Sequence, residues 1–501
     1  MTGRASTVAH LASAAGGAVV GDGSTLVTGV AYDSRAVAPG DLFACLPGGY
    51  ADGHEYASRA AEAGAVALLV ERRLPLDVAQ IVVGATRREL AAVAAAFYGD
   101  PGAELTVVGV TGTDGKTTTS AIVDHLLRSA GLRTGVVGTV SVRIADEVVD
   151  HETRQTTPES AELQRHLRAM ADAGVTHAVL EATSHGLDLH RLDHVPFDVG
   201  AVTNITLEHL EHHGTVEAYR AAKAILFRRV AAAGGVAVVN LDDEGARSML
   251  DVSVGAKIVT YSTTDSSATL YASDIVVGPT GSTLAVRSGD RAHRGSVPLT
   301  GRFNVANALC ALGVATACGV DVEDAISSLA SAPQVPGRMH IVDPTRPVTT
   351  IVDYAHTPAS LEVMLRTLRA ASPSGRLIAV FGSGGERDVA KRPLQGRVAA
   401  RLADLAVFTN EDPREEDEHA ILADIAAGAR AEGWVEGRQF WAIPDRREAI
   451  RQAVSLAEAG DVLLLAGKGH ERSIIVGQRK TPWDEAEVAG QELARRFGEA
   501  P

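Results

Sequence analysis

The sequence predicts an α/β protein built from successive strand–helix units, and three observations carry that prediction. Short apolar runs ending in a polar residue alternate with Ala-rich helical stretches. One such run leads through a glycine turn directly into a helix. The chain has 501 residues, too many for one ordinary core, so about three domains are expected.

The first 100 residues read as a small α/β unit, with strands such as Val66-Ala67-Leu68-Leu69-Val70 between Ala-rich helices. Asp100-Pro101-Gly102 is the expected linker, because Pro and Gly break both helix and strand. From 101 to 333 the runs Ala178-Val179-Leu180-Glu181, Val199-Gly200-Ala201-Val202-Thr203-Asn204 and Val236-Ala237-Val238-Val239-Asn240 predict a parallel, doubly wound sheet. Such sheets bind ligands at the carboxyl ends of their strands. Ala332-Pro333-Gln334-Val335-Pro336-Gly337-Arg338 marks the second boundary, and 334 to 501 alternates again. There, Ile378-Ala379-Val380-Phe381-Gly382 and Asp461-Val462-Leu463-Leu464-Leu465-Ala466-Gly467 are strands running into glycine loops.

Composition narrows the partners. A net charge of −15 argues against nucleic acid, so an anionic ligand needs local positive sites. Cys45, Cys310 and Cys318 form no CxxC pair, which fits a reducing compartment. No run approaches the ~18 apolar residues of a membrane span, and the first twenty lack a signal-type apolar core. A cytoplasmic chain without membrane insertion is expected, as a monomer.

The most specific segment is Thr111-Gly112-Thr113-Asp114-Gly115-Lys116-Thr117-Thr118-Thr119. It follows the strand-like Leu105-Thr106-Val107-Val108-Gly109-Val110 and precedes the helical Ala121-Ile122-Val123-Asp124-His125-Leu126-Leu127. Glycines let the backbone approach oxyanions, and free amides at the helix start point at phosphate. Lys116 adds a charge, and Thr117 or Thr118 offers a hydroxyl to Mg²⁺. Val110 stands six residues before Lys116, so the spacing is not the strict Walker pattern. Asp114 adds a carboxylate that must face a metal or solvent.

Further constellations sit at strand ends. Glu181 leads into Thr183-Ser184-His185-Gly186, as a metal ligand or as part of a helix cap. In Glu208-His209-Leu210-Glu211-His212-His213, three histidines and two glutamates invite a zinc reading, but HExxH and nearby cysteines are absent. Lys223 lies in a helical stretch where a lysine is ordinarily solvated. Gly301-Arg302-Phe303-Asn304 precedes an Ala-rich helix, and Asp353-Tyr354-Ala355-His356 follows a β-rich run.

Together these motifs resemble the Mur ligases, ATP-dependent amide-forming enzymes of peptidoglycan assembly. The resemblance runs nearly end to end. It takes in Asp33-Ser34-Arg35, Thr156-Thr157-Pro158, Gly337-Arg338-Met339, Gly384-Gly385-Glu386-Arg387-Asp388, Asp412-Pro413-Arg414 and Gly467-Lys468-Gly469-His470-Glu471. It implies three α/β domains: a UDP-sugar domain at 1–100, a P-loop parallel-sheet ATPase at 101–333, and a Rossmann-like amino-acid domain at 334–501. ATP would lie between the second and third.

The members it most resembles add a diamino acid to UDP-N-acetylmuramoyl-L-alanyl-D-glutamate through an acyl phosphate, using ATP and Mg²⁺. By that resemblance, Gly112, Thr113, Asp114, Gly115, Lys116, Thr117 and Thr118 would meet the nucleotide. Asn304 would contact adenine, Arg338 the phosphates and Asp353 the ribose. Glu181 and His209, with Thr117, match metal ligands, which displaces zinc, and Lys223 matches a lysine that the family carbamylates. Ser34, Thr156, Thr157, Thr183 and Arg191 would hold the UDP-sugar dipeptide, and Arg387, Asp412, Arg414, Gly467 and Glu471 the incoming amino acid. Arg414 suits the distal carboxylate of meso-diaminopimelate, whereas Asp412 suits the ammonium of lysine or ornithine. A paralogue using another carboxylate, or a non-catalytic nucleotide-binding protein, would share many of these residues.

Overall fold

The structure, a computed structural model, describes residues 4–48, 51–149, 155–206 and 208–498. Its residues fall into two compact units. One runs to Tyr271 and includes Ser288–Asp290 and Asn307–Ala325; the other comprises Ala272–Arg287, Arg291–Ala306 and the chain from Ile326 onward. The expected α/β class holds in both.

The first unit contains two sheets that position its site. A five-stranded sheet runs in the order Ala18–Val20, Ala79–Val82, Ala67–Val70, Asp41–Ala44, Gly29–Ala31. All neighbours are parallel except the first pair. Leu42, Leu69, Ile81 and Leu90 form part of its core.

The second sheet is centred on Thr106–Thr111, flanked by His177–Glu181 on one side and Val199–Val202 on the other, all parallel. Thr134–Val137 continues it beyond His177–Glu181, and Val236–Asn240 and Lys257–Ser262 beyond Val199–Val202. These strands read as almost unbroken apolar runs because helices cover both faces. Registers align Glu181 with Val110 and Val202 with Thr111, so three strands end together at the glycine loop.

The second unit holds a six-stranded sheet ordered His340–Val342, Thr349–Asp353, Val462–Ala466, Leu377–Phe381, Leu405–Phe408, Phe440–Ala442. Its strands are parallel but for the first, again the layout that places loops at the carboxyl ends. Two cores, one on each face, include Phe381 and Phe408 on one and Val380 and Leu465 on the other. No described helix is long and apolar enough to cross a membrane.

Candidate active site

The phosphate loop lies between strand Thr106–Thr111 and helix Lys116–Ser129, as the spacing predicts. Gly115 adopts φ +83°, and a Cβ there would come within 2.3 Å of Asn307 Oδ1, so only glycine fits without strain. The loop is braced from below. Asp114 N–H donates to Asn204 Oδ1 at 3.0 Å, and Thr203 Oγ1 donates to Asp114 carbonyl at 2.6 Å. Thr206 N–H donates to Thr113 Oγ1 at 3.0 Å, and Tyr219 Oη lies 3.0 Å from that same oxygen. The residue at 114 is exposed, so its carboxylate has the solvent it requires.

Two lysines converge on one backbone oxygen. Lys116 Nζ donates to the carbonyls of Gly112 and Thr113, both at 2.8 Å. Lys223 Nζ donates to Gly112 carbonyl at 2.7 Å and sits 4.6 Å from the Tyr219 ring centre. Lys223 is only 1% exposed, which corrects the reading of a solvated surface lysine. The helix Val216–Ala232 buries Tyr219, Ala222, Lys223, Leu226, Phe227 and Val230, a helical stripe that places Lys223 on the inner face. Burial first, then the charge of Lys116, hold its amine well below the ordinary lysine range.

Glu181 is 2% exposed, ends its strand and binds hydroxyls, while the cap expected of the polar cluster is made by Thr183, whose Oγ1 accepts from Gly186 N–H at 3.0 Å. Its Oε2 accepts from Thr117 Oγ1 at 3.0 Å and Thr139 Oγ1 at 2.9 Å, and its Oε1 accepts from Thr139 N–H at 2.9 Å. Thr139 also lies 3.0 Å, Oγ1 to Oγ1, from Thr156. Sequence reading missed Thr139. No local signal marks it: a Cβ on the preceding Gly138 would sit 2.2 Å from Glu181 Oε1, a closeness that only the folded sheet creates. Thr157 Oγ1 donates to Glu181 carbonyl at 2.6 Å and lies 2.9 Å from Thr183 Oγ1. Arg191 Nη1 donates to Thr157 carbonyl at 3.0 Å, with Glu159 beside its Nε at 3.0 Å. Thr156, Thr157, Thr183 and Arg191 are therefore one connected network around Glu181. Thr118 is buried in the first turn of the loop helix, and Ser34 is half-buried between strands Gly29–Ala31 and Asp41–Ala44, beside the Asp33–Arg35 ion pair.

His209 has φ +55° and leads a short helix, Leu210–His213. Its ring centre is 4.8 Å from that of His185. Burial and the neighbouring His212, His209 and His213 push the His185 pKa down to about 4, so it is neutral at pH 7.

The second unit assembles a separate group. Lys468, fully buried, donates to Asp412 Oδ1 at 3.0 Å and to Glu471 Oε2 at 2.5 Å. Ile475 N–H adds a 2.9 Å bond to Asp412 Oδ1. Arg414, at φ +55°, is held by its backbone: its N–H donates to Ile475 carbonyl at 3.1 Å, and its carbonyl accepts from Gly477 N–H at 2.7 Å. Glu386 is 3.9 Å from Arg414 Nη1, a loose pairing, and Arg387 is exposed on the same loop. A Cβ on Gly467 would lie 3.2 Å from Glu411 Oε2, so that carboxylate closes over the strand end.

Nearby, Asp353 accepts from Met339 N–H and Ala355 N–H, both at 2.8 Å, one on each carboxylate oxygen. The guanidinium of Arg338 lies 5.1 Å from the Tyr354 ring centre. Burial, with Glu471 and Glu411 next, raises the Tyr354 phenol to about 12. Asn304 is buried in the first turn of helix Arg302–Ala317, its Nδ2 donating to Thr300 carbonyl at 2.8 Å.

Comparison with known proteins decides the family. The models of the Mur ligase family catalytic domain, the Mur ligase middle domain and the Mur ligase glutamate ligase domain match residues 26–99, 110–315 and 337–469. The chain is 46% identical over 485 residues to a UDP-N-acetylmuramyl-tripeptide synthetase of Roseiflexus sp., covering 93% of this chain and 94% of that one.

The chain belongs to the Mur ligase family.

It is therefore an ATP-dependent ligase that forms amide bonds. It is also similar, at 39% identity over 475 residues (93% and 94% of the two chains), to a UDP-N-acetylmuramoyl-L-alanyl-D-glutamate–2,6-diaminopimelate ligase of Bacillus velezensis. A solved structure of a ligase of that name aligns with TM-score 0.68 at 33% identity, over 94% of this chain and 95% of the other. A Mur ligase of Thermotoga maritima in complex with ADP shares the fold, with TM-score 0.63 at 21% identity.

Proposed function

We propose that this Mur ligase adds meso-diaminopimelate to UDP-N-acetylmuramoyl-L-alanyl-D-glutamate in peptidoglycan precursor synthesis. It acts as a cytoplasmic monomer with domains at 1–100, 101–333 and 334–501. One observation carries the choice of amino acid: Lys468 engages Asp412 at 3.0 Å. Asp412 is then no free anion waiting for an ammonium. Arg414, whose ion-pair partner among the described residues is the loosely placed Glu386, is the group to take a distal carboxylate through a two-pronged contact. The diaminopimelate ligases among its relatives support the same choice.

The chemistry follows from the residues. A carboxylate is a poor acceptor because its leaving group is oxide. Transfer of the ATP γ-phosphoryl makes an acyl phosphate; the amine then attacks the carbonyl carbon, the C–N bond forms and phosphate leaves. Charge spreads over the transferring oxygens, so positioned cations and amides do most of the work. Lys116 and the amides at the start of helix Lys116–Ser129 would bind the nucleotide phosphates, and Arg338 would add a second cation. Thr117 and Glu181 present hard oxygen donors, which suit Mg²⁺, with His209 as a third ligand. Bound there, Mg²⁺ supplies charge neutralisation for the phosphates.

Thr156, Thr157, Thr183, Arg191 and Ser34 would hold the UDP-sugar dipeptide. Asn304 and Asp353 would hold adenine and ribose, and Arg387, Gly467 and Glu471 would complete the amino-acid pocket. Lys223, whose amine burial and Lys116 shift toward the neutral form, would add CO₂. Its nitrogen attacks the carbon, a proton leaves, and a carbamate anion results.

The test is ADP release with ATP, Mg²⁺ and UDP-N-acetylmuramoyl-L-alanyl-D-glutamate, offering meso-diaminopimelate, L-lysine and L-ornithine in turn, with products confirmed by mass. Turnover with meso-diaminopimelate is expected. Turnover with lysine or ornithine alone would overturn the reading of Asp412 and Arg414. No turnover with any, from folded protein that binds ATP, would point to another carboxylate acceptor.

A further inference from the structure

Asp188, His212 and His213 offer a carboxylate oxygen and two imidazole nitrogens that all lie within 4.8 Å of one another. Asp188 ends the short helix Ser184–Asp188, while the two histidines end Leu210–His213. Two separate pieces of chain therefore meet at this point. His212 Nε2 is 2.9 Å from Asp188 Oδ2, a contact already at ligand-pair distance. His213 Nε2 is buried without a hydrogen-bond partner among the described residues. An unpartnered buried imidazole nitrogen is uncommon, because its desolvation goes uncompensated. The His212 and His213 rings stand nearly perpendicular, 4.6 Å apart, and His185 lies against His212 at 4.2 Å.

We infer that Asp188, His212 and His213 form a binding site for a transition-metal dication of the zinc class, separate in its residues from the Thr117–Glu181 centre. The donor set decides the class. Two imidazoles and one carboxylate suit Zn²⁺, with water in the remaining position, whereas Mg²⁺ prefers an all-oxygen shell. Metal–ligand lengths of about 2.0–2.2 Å require the donor atoms to draw in from their present spread, by roughly an ångström at the widest pair. His212 and Asp188 are both exposed, so both can adjust and the ion has an entry path. The ion would tie helix Ser184–Asp188 to the turn that carries His209. Zinc at this place is thus a clamp beside the nucleotide centre, and no chemical step is assigned to it.

The experiment is calorimetric titration of the full chain with Zn²⁺ in excess Mg²⁺, repeated on H212A, D188A and, as a milder change, H212Q. Circular dichroism checks each fold. One Zn²⁺ per chain is expected, with affinity reduced about tenfold or more in every variant. Co²⁺ titration gives a second readout: a visible d–d absorption of low-coordinate cobalt is expected in the wild type and in H209A, and lost in H212A. No saturable zinc binding by the wild type would overturn the site. So would binding that survives H212A and D188A but disappears in H209A or E181Q, which would place the ion at the Thr117–Glu181 centre.

Discussion

Around the phosphate loop, two lysines meet backbone carbonyls, and burial holds the amine of one of them well below the ordinary lysine range. Around Arg414, a buried lysine meets two carboxylates, and Glu386 lies 3.9 Å from the guanidinium. The first arrangement rests on strand ends and a helix start, the second on loops held by backbone bonds and side-chain ion pairs together. A loop whose charge is balanced by peptide dipoles suits a ligand shared by the whole family. A pocket balanced by side chains can be retuned one residue at a time, which suits the part of the reaction that varies between relatives.

Four substitutions test this contrast. The largest effect is expected for Lys116→Ala, which removes a positioned cation. The rate of ADP release should fall by about 10²–10³ or more, with an unchanged circular dichroism spectrum. Near-normal turnover would remove the phosphate loop from the chemistry.

Lys468→Met should act on stability instead, because Asp412 and Glu471 lose their shared partner. Breaking a fully buried pair costs about 3–5 kcal/mol; here about 2 kcal/mol is expected, since both carboxylates keep some exposure. A denaturant midpoint equal to wild type would show that the ion pairs are dispensable.

Arg414→Ala should raise the KM for the amino acid about tenfold or more, with the KM for ATP little changed. Equal changes in both would erase the distinction between the two regions.

The smallest effect belongs to Glu416, whose carboxyl is held down to about 2, first by its bond to Arg392. A folded pKa below the unfolded value means stability present above about 4.5 and lost as pH falls toward 2. Thermal melts of Glu416→Gln should therefore lie below wild type at neutral pH and converge with it near pH 2. Parallel curves at all pH values would refute the assignment.

Much of the first region was legible in the sequence because its signals are local. The run Thr106–Thr111, the glycines and Lys116 are contiguous, and strand, turn and helix follow from spacing alone. Thr139 was not legible, since it reaches Glu181 only through strand pairing across 42 residues. Lys223 was legible in principle: the buried stripe from Tyr219 to Val230 is visible as a helical period, but a lysine in such a stripe reads as solvated until its partner is known. In the second region the motif residues were visible, yet the meaning of Asp412 depended on Lys468, 56 residues away. Pairings of that range are set by topology, which a single sequence does not print.

The backbone of Arg414 is stitched on both sides to the hairpin formed by Ser473–Val476 and Arg479–Pro482, through Ile475 and Gly477. The reach of its guanidinium is thus gauged by a surface ribbon whose two strands pair with each other. Lengthening or shortening that ribbon would shift the arginine without altering Asp412, Gly467 or Glu471. On the role proposed for Arg414, divergence in the ribbon alone would change the amino acid accepted while every motif stayed intact.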